Sequence, residues 1–189
     1  MKKLLGLLTI LAVLGSTTTT FASYDSQNHL HLFLGQKLLD SNDWIESTDT
    51  QLEYAVDGDF NINNLPFNIS FSYSHSEDDS LIEGVALTSE TSELRVGARK
   101  YLSTKNNEFS WFFGGGLANI NAKASVSALS IEDSSIGIYG EVGSQYKFDS
   151  KFYIGTKVAY SVAEVNIDGI IVAAGGFHYG LFVNIPFKL

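Results

Sequence analysis

The sequence predicts an all-β chain: an eight-stranded antiparallel up-and-down β-barrel that crosses a lipid bilayer. Three observations carry this. Apolar and polar residues alternate with a period of two along most of the chain, the breaks between alternating segments are long and short in turn, and the closing stretch Phe177 to Leu189 has one unbroken apolar row. Successive side chains of a strand point to opposite faces. The closing stretch therefore sets Phe177, Tyr179, Leu181, Val183, Ile185, Phe187 and Leu189 on one face, and His178, Gly180, Phe182, Asn184, Pro186 and Lys188 on the other. No backbone group goes unpaired in lipid, so a strand that turns an apolar face outward to acyl chains belongs to a closed barrel.

The bulk composition bounds the class. The 189 residues open on MKKLLGLLTILAVLGSTTTTFAS, which has the parts of an export signal: Lys2 and Lys3, an apolar stretch from Leu4 to Leu14, and a small-x-small site at Thr20-Phe21-Ala22. Residues 1–22 are expected to be removed, leaving 23–189 as one barrel domain. The apolar stretch is well short of the ~20 residues of a spanning helix. Twenty-one acids against 12 Lys and Arg give a net charge of −9, and the chain has two arginines. Nucleic acid is thereby disfavoured as a partner. With no cysteine, disulfides and thiolate sites are excluded. The mean hydropathy of +0.06 agrees with a barrel, whose lipid-facing and lumen-facing residues average out.

The strands follow in order. Asn28 to Leu38 alternates Leu30, Leu32 and Leu34 against His29, His31, Phe33, Gly35 and Lys37, and an acidic break from Asp40 to Asp49 holds Trp44. Thr50 to Phe60 sets Leu52, Tyr54, Val56 and Phe60 against Gln51, Glu53, Ala55, Asp57 and Asp59. Asn61 to Pro66 is a turn by composition. Phe67 to His75 places Phe67, Ile69, Phe71, Tyr73 and His75 opposite Asn68, Ser70, Ser72 and Ser74, a pattern that a helix would scatter. After a long acidic break, Ser76 to Thr91, a fourth strand from Ser92 to Leu102 turns Leu94, Val96 and Ala98 outward and Glu93, Arg95 and Arg99 inward. Glu108 to Ile120 pairs Phe109, Trp111, Phe113 and Leu117 against Ser110, Phe112, Gly114, Gly116 and Ala118. A break from Asn121 to Ser134 precedes Ser135 to Phe148, with Ile136, Ile138, Val142, Tyr146 and Phe148 outward and Tyr139, Glu141 and Gln145 inward. Phe152 to Ala163 turns Ile154, Val158, Tyr160 and Val162 outward, and Lys157 inward. The last strand is expected from near Ile170, and extra strands within 76–91 or 121–134 would raise the count to ten.

Long breaks after the first, third and fifth strands, and short ones after the second, fourth and sixth, give the rhythm of an up-and-down meander. Charge sorts the same way. Lys100, Lys105, Lys147, Lys151 and Lys188 lie at the short-turn end, whereas most acids lie in the long breaks.

The export signal, the strands of about 9–11 residues and the ending YGLFVNIPFKL resemble the small eight-stranded outer-membrane barrels of the OmpA-domain and OmpX type, over the whole of 23–189. That resemblance implies a place in the bacterial outer membrane among its lipid and lipopolysaccharide, and a C-terminal signal read by the barrel-assembly machinery. The signal falls on Tyr179, Gly180, Val183, Ile185, Phe187 and Leu189, with Leu189 where the usual terminal residue is Phe. Pattern of this kind specifies architecture more than function. A monomer without cofactor or catalytic role is expected, acting in envelope integrity or through its loops.

Five groups of residues invite a functional reading. Glu53, Glu93, Arg95, Arg99, Glu141 and Lys157 face a lumen too narrow to hydrate them, so they read as a paired structural plug, with a narrow selective pore as the alternative. Trp44, Phe109, Trp111, Tyr146, Tyr160 and Tyr179 suit the aromatic girdles of a membrane interface. His29 and His31 share a face, yet no third metal ligand is evident. The acids Glu77, Asp78, Asp79 and Glu83 offer a weak cation site bridging to lipopolysaccharide phosphate. Finally, His75 faces outward near the rim. Barrels of this size that deacylate lipid A are marked by a His-x-Ser pair with an acid, but Ser74 and Ser76 point to the opposite face from His75, so an enzyme is not expected. The rival fold, a soluble exported barrel of the lipocalin kind, would put its large apolar residues inside around a small ligand.

Overall fold

The computed structural model describes residues 27–39, 49–62, 65–82, 85–104, 108–126, 129–149, 151–167 and 169–188. Residues 1–22, Trp44, Glu83, Lys105 and Leu189 fall outside these. Among the described residues there are ten strands: β1 (Asn28–Leu38), β2 (Thr50–Asn61), β3 (Asn68–Ile82), β4 (Val85–Ser103), β5 (Phe109–Val126), β6 (Leu129–Asp149), β7 (Phe152–Val162), β8 (Glu164–Ile167), β9 (Ile170–Ala173) and β10 (Gly176–Phe187). Eight of them, β1 to β7 and β10, close into one antiparallel barrel in the order β1-β10-β7-β6-β5-β4-β3-β2. The seam runs Asn28↔Phe187 to Leu38↔Phe177. Closure gives each of the eight barrel strands two neighbours, the condition for a sheet to sit in lipid.

Burial follows the period of two, with the polarity of a membrane barrel. Leu34, Leu117 and Leu181 stand 61%, 61% and 62% exposed on the outer wall, while Arg95, Arg99, Lys37, Asp57 and Asp59 are buried within. A soluble barrel needs the reverse, so the lipocalin reading fails. A smaller inward minority is apolar: Phe33, Ala55, Tyr101, Phe112 and Phe182 form one buried cluster. Two inward glycines make room for it. A Cβ on Gly143 would lie 2.3 Å from the Phe112 ring, and one on Gly155 would lie 2.4 Å from that of Phe182.

Two sequence expectations are corrected. The stretches 76–91 and 121–134 are not long breaks: the ladder continues through them, from Asn68↔Arg99 to Ile82↔Val85 and from Phe109↔Tyr146 to Val126↔Leu129. They hide longer strands and no additional barrel strand. Nor does the last barrel strand begin near Ile170. Residues 164–173 form a separate two-stranded hairpin, β8–β9, and β10 starts at Gly176.

Strands of 19 residues in β4 and 21 in β6 exceed the ~9–11 that a tilted strand needs to span a bilayer. The outer wall marks where lipid ends. On β3, Phe71 and Tyr73 give way beyond His75 to Glu77 and Asp79; on β4, Val96 and Leu94 give way to Ser92 and Glu90; on β5, Leu117 gives way to Asn119, Asn121 and Lys123. Strands β3 to β6 therefore carry on into water as a blade, at the end opposite the Asn28–Phe187 pair.

Candidate functional site

The lumen gathers most of the protein's buried charge, in two networks stacked along the axis. Both are organised by β4, where Arg95 and Arg99, four residues apart on one strand, share the inward face. These are the only arginines in the chain.

Nearer the blade, the Arg95 guanidinium donates to Glu93 from Nε and Nη2, each at 2.7 Å from Oε2. Glu53 lies 3.7 Å from Nη2. The other Glu93 oxygen takes Lys37 Nζ at 2.8 Å and the Ser161 hydroxyl at 3.0 Å. His178 sits between the carboxylates, 2.9 Å from Glu53 and 3.3 Å from Glu93. Lys37 also donates to Thr91 and to the Ala174 carbonyl, both at 2.9 Å.

Nearer the termini, Arg99 reaches three carboxylates: Glu141 from Nη2 at 2.6 Å, Asp59 from Nη1 at 2.8 Å and Asp57 from Nη2 at 3.3 Å. Asp57 also takes Lys157 Nζ at 2.7 Å and the Ser72 hydroxyl at 2.5 Å. The Tyr101 hydroxyl donates to Asp59 and lies 2.9 Å from His31 Nε2. Aromatic rings line the cations, with Arg99 4.8 Å above Phe112 and Lys157 4.6 Å above Phe33. Gly114 belongs to this arrangement, because a Cβ there would come within 2.9 Å of Glu141 Oε1. Below lies a neutral layer in which Asn184 donates to Gln145 at 2.7 Å and contacts His29.

Thus Glu53, Glu93 and Arg95 share one network, and Arg99, Glu141 and Lys157 the other. The sequence reading missed Lys37, Asp57, Asp59, Tyr101, His31 and His178 as partners of these six. Parity along the strands was the available signal, since all of them fall on inward faces.

At the far mouth, Val165 of β8 and Val172 of β9 join Leu39, Ala118, Ile120, Ala122, Tyr139, Ala163 and Ala174 in an apolar cluster over the upper network. Asp133 of β6 accepts the Asn166 N–H at 2.7 Å and so ties the hairpin to the blade. That bond holds the Asp133 carboxyl below its usual range.

Outer aromatics form two belts. Phe109, Trp111 and Tyr146 lie at the terminal end, with Phe109 and Trp111 edge to face at 5.3 Å. Tyr160 and Tyr179 lie toward the blade, where Tyr179 hydrogen-bonds Gln36. Tyr179, Val183, Ile185 and Phe187 of the closing strand face outward, and Gly180 lies on the inner side, where a Cβ would meet the Leu34 carbonyl at 2.3 Å.

The fold and polarity accord with the matching family model, the outer membrane protein beta-barrel domain, which covers residues 8–184. The chain belongs to this family. Solved structures share its barrel at low identity. The Neisserial surface protein A matches with a TM-score of 0.59 at 11% identity, covering 88% of this chain and 100% of that one. The N-terminal barrel domain of Pseudomonas aeruginosa OprF matches at 0.56 and 14%, covering 87% and 100%. Ail of Yersinia pestis, in complex with the heparin analogue sucrose octasulfate, matches at 0.51 and 14%, covering 87% and 100%. No curated protein matches the chain.

In this outer-membrane barrel the remaining candidates fall as follows. Asp78 lies on the face of β3 opposite Glu77 and Asp79, so the acids do not converge, and among the described residues no group of three or more His, Cys, Asp or Glu is placed to hold a metal ion. His29 and His31 belong to different layers of the lumen. Ser74 and Ser76 are buried on the lumen face opposite His75, as the strand period requires. The cross-strand partner of His75, Ser92 of β4, places Oγ 3.0 Å from Nδ1, while Glu77 lies 3.5 Å from Nε2.

Proposed function

We propose that this is a monomeric barrel of the bacterial outer membrane with a plugged lumen, contributing to envelope integrity and making surface contacts through the blade of β3 to β6. The observation that carries the reading is the pair of ion networks: Arg95 and Arg99, each about 1% exposed, reach across the lumen to carboxylates on other strands. Buried charges that bond one another across so narrow a lumen support a plug over a hydrated path. The apolar cluster beneath β8–β9 supports the same reading from the blade end.

Its leader, residues 1–22, is removed after Ala22 on export, and the closing residues from Tyr179 to Leu189 serve as the signal for the assembly machinery. Outer-membrane lipid and lipopolysaccharide surround the apolar wall. Glu77, Asp79, Glu90 and Glu132 stud the outer side of the blade against Lys123. A polyanion like the one bound to Ail is therefore not the partner proposed here.

Planar-bilayer recording of the refolded protein tests the plug. No steady channels are expected; a reproducible unitary conductance would replace this reading with that of a narrow pore.

A further inference from the structure

The blade has an inner face, which continues the lumen side of the wall beyond the mouth, and that face is divided by chemistry. Inward parity assigns to it Asp78 and Ser80 on β3, Leu87 and Ser89 on β4, Ala124 and Val126 on β5, and Leu129 and Ile131 on β6. Two register rows set them side by side, Ser80↔Leu87↔Val126↔Leu129 and Asp78↔Ser89↔Ala124↔Ile131. The face is therefore polar and acidic along β3 and apolar along β5 and β6.

Neither half is satisfied within the described residues. Val126, Ile131 and Leu129 remain 43%, 42% and 77% exposed although they face inward. They carry upward the apolar cluster that Val165 and Val172 bury lower down over Ile120 and Ala122. On the acidic side, partial burial and then the like charges of Asp79 and Asp49 push the Asp78 carboxyl above its usual range. Among the described residues no cation lies within ion-pair distance of these acids, since Lys37 is engaged by Glu93 and Lys123 by Glu90. Asp79 accepts the Thr88 hydroxyl, which leaves its charge in place.

We propose that the inner face of the blade binds a single-chain amphiphile with a cationic head group, its hydrocarbon laid on Val126, Leu129 and Ile131 and its charge set beside Asp78. The inference rests on the blade as the contact surface and names what that surface takes up. Size selects the occupant first. So few half-exposed side chains fall well short of the roughly 800 Å² per partner that a stable protein interface buries, but they suffice for one hydrocarbon chain. Charge selects next: a cation relieves acids that repel one another, whereas an anionic amphiphile adds to the repulsion. Spacing agrees, because β3 stands two to three strands from β5 and β6, about 10–15 Å, a gap that the head and chain of one molecule bridge. The face is turned away from the lipid wall and stands beyond it, so the amphiphile comes from the surrounding medium and not from the bilayer.

The test uses the full chain folded into nanodiscs of zwitterionic phospholipid, its heat-modifiable migration verified, with Ile, Leu and Val methyl groups labelled for NMR. Decyltrimethylammonium, added below its micelle concentration, should give saturable shifts at Val126, Leu129 and Ile131. Decyl maltoside, which keeps the chain without the charge, and tetramethylammonium, which keeps the charge without the chain, should each bind more weakly. Asp78→Asn should weaken decyltrimethylammonium binding about fivefold, and Ile131→Ser, followed at Val126 and Leu129, about tenfold. Glu132→Gln, on the outer face of the same strand, should change nothing. Shifts confined to Leu34, Leu117 and Leu181 of the lipid-facing wall would mean partition into the bilayer only, and they overturn the proposal. So do equal affinities for decyl maltoside and decyltrimethylammonium, or binding that Asp78→Asn leaves intact. Shifts at the blade that grow with protein concentration in the absence of probe would make a second copy of the chain the occupant, and overturn it as well. None of these results bears on the plug, whose failure shows as current through the same folded protein.

Discussion

Arg99 bonds Asp57, Asp59 and Glu141 from one guanidinium, with the His31 imidazole standing farther off, 3.7 Å from Asp59. Truncating it strands buried carboxylates in a dry lumen. Arg99→Ala should therefore lower stability by about 3–5 kcal/mol, read as a fall in the urea midpoint of the protein in detergent micelles. Lys157→Met should be milder, since Asp57 keeps Arg99 and the Ser72 hydroxyl and the methionine fills the space against Phe33. At this scale the sequence shows which side of the wall a residue occupies. It does not show whom that residue meets. Inward parity collects Glu53, Glu93, Arg95, Arg99, Glu141 and Lys157, but the contact of Arg99 on β4 with Asp57 on β2 depends on the stagger of strands around the barrel. The same holds outside: Ser92 reaches His75 through register, whereas Ser74 and Ser76 adjoin it in sequence only.

Strands β3 to β6 change their surroundings along their length while keeping their hydrogen-bonded ladder. That is why residues 76–91 and 121–134 read as breaks: once the outward positions leave lipid, Glu77, Glu90, Asn121 and Lys123 replace rings and branched chains, and the apolar alternation disappears although the backbone stays paired. The small hairpin β8–β9 is too short to alternate visibly. A charge placed on each side of the boundary tests where it lies. Val96→Arg should cost about 2–4 kcal/mol in lipid, whereas Thr88→Arg, outward on the same strand beside Asp79, should cost close to nothing. Folding yields into lipid vesicles, followed by electrophoretic mobility, would measure both. Equal losses at the two sites would mean that the apolar band extends farther up the blade than the wall composition indicates.

As a whole the molecule is sided. Its short turns and both ends of the barrel lie together, and the blade with the β8–β9 cover lies at the other end, above two charge networks. The layers act in series, so loss of one should leave the others as seals. A chain in which 164–173 is replaced by a short Gly-Ser joint should still migrate as a heat-modifiable barrel and still pass no current in planar bilayers. Steady current after that deletion would identify the hairpin as the seal and the networks as permeable.

The seam between β1 and β10 joins backbone positions as far apart in sequence as Asn28 and Phe187. Two edges that meet only at the end of the chain make the sheet a ring, and a ring has no natural shorter version. Trimming the final strand would leave two raw borders in oil, yet cutting the blade tip and tethering the old ends with a short bridge should give a rearranged chain that folds to the same cylinder.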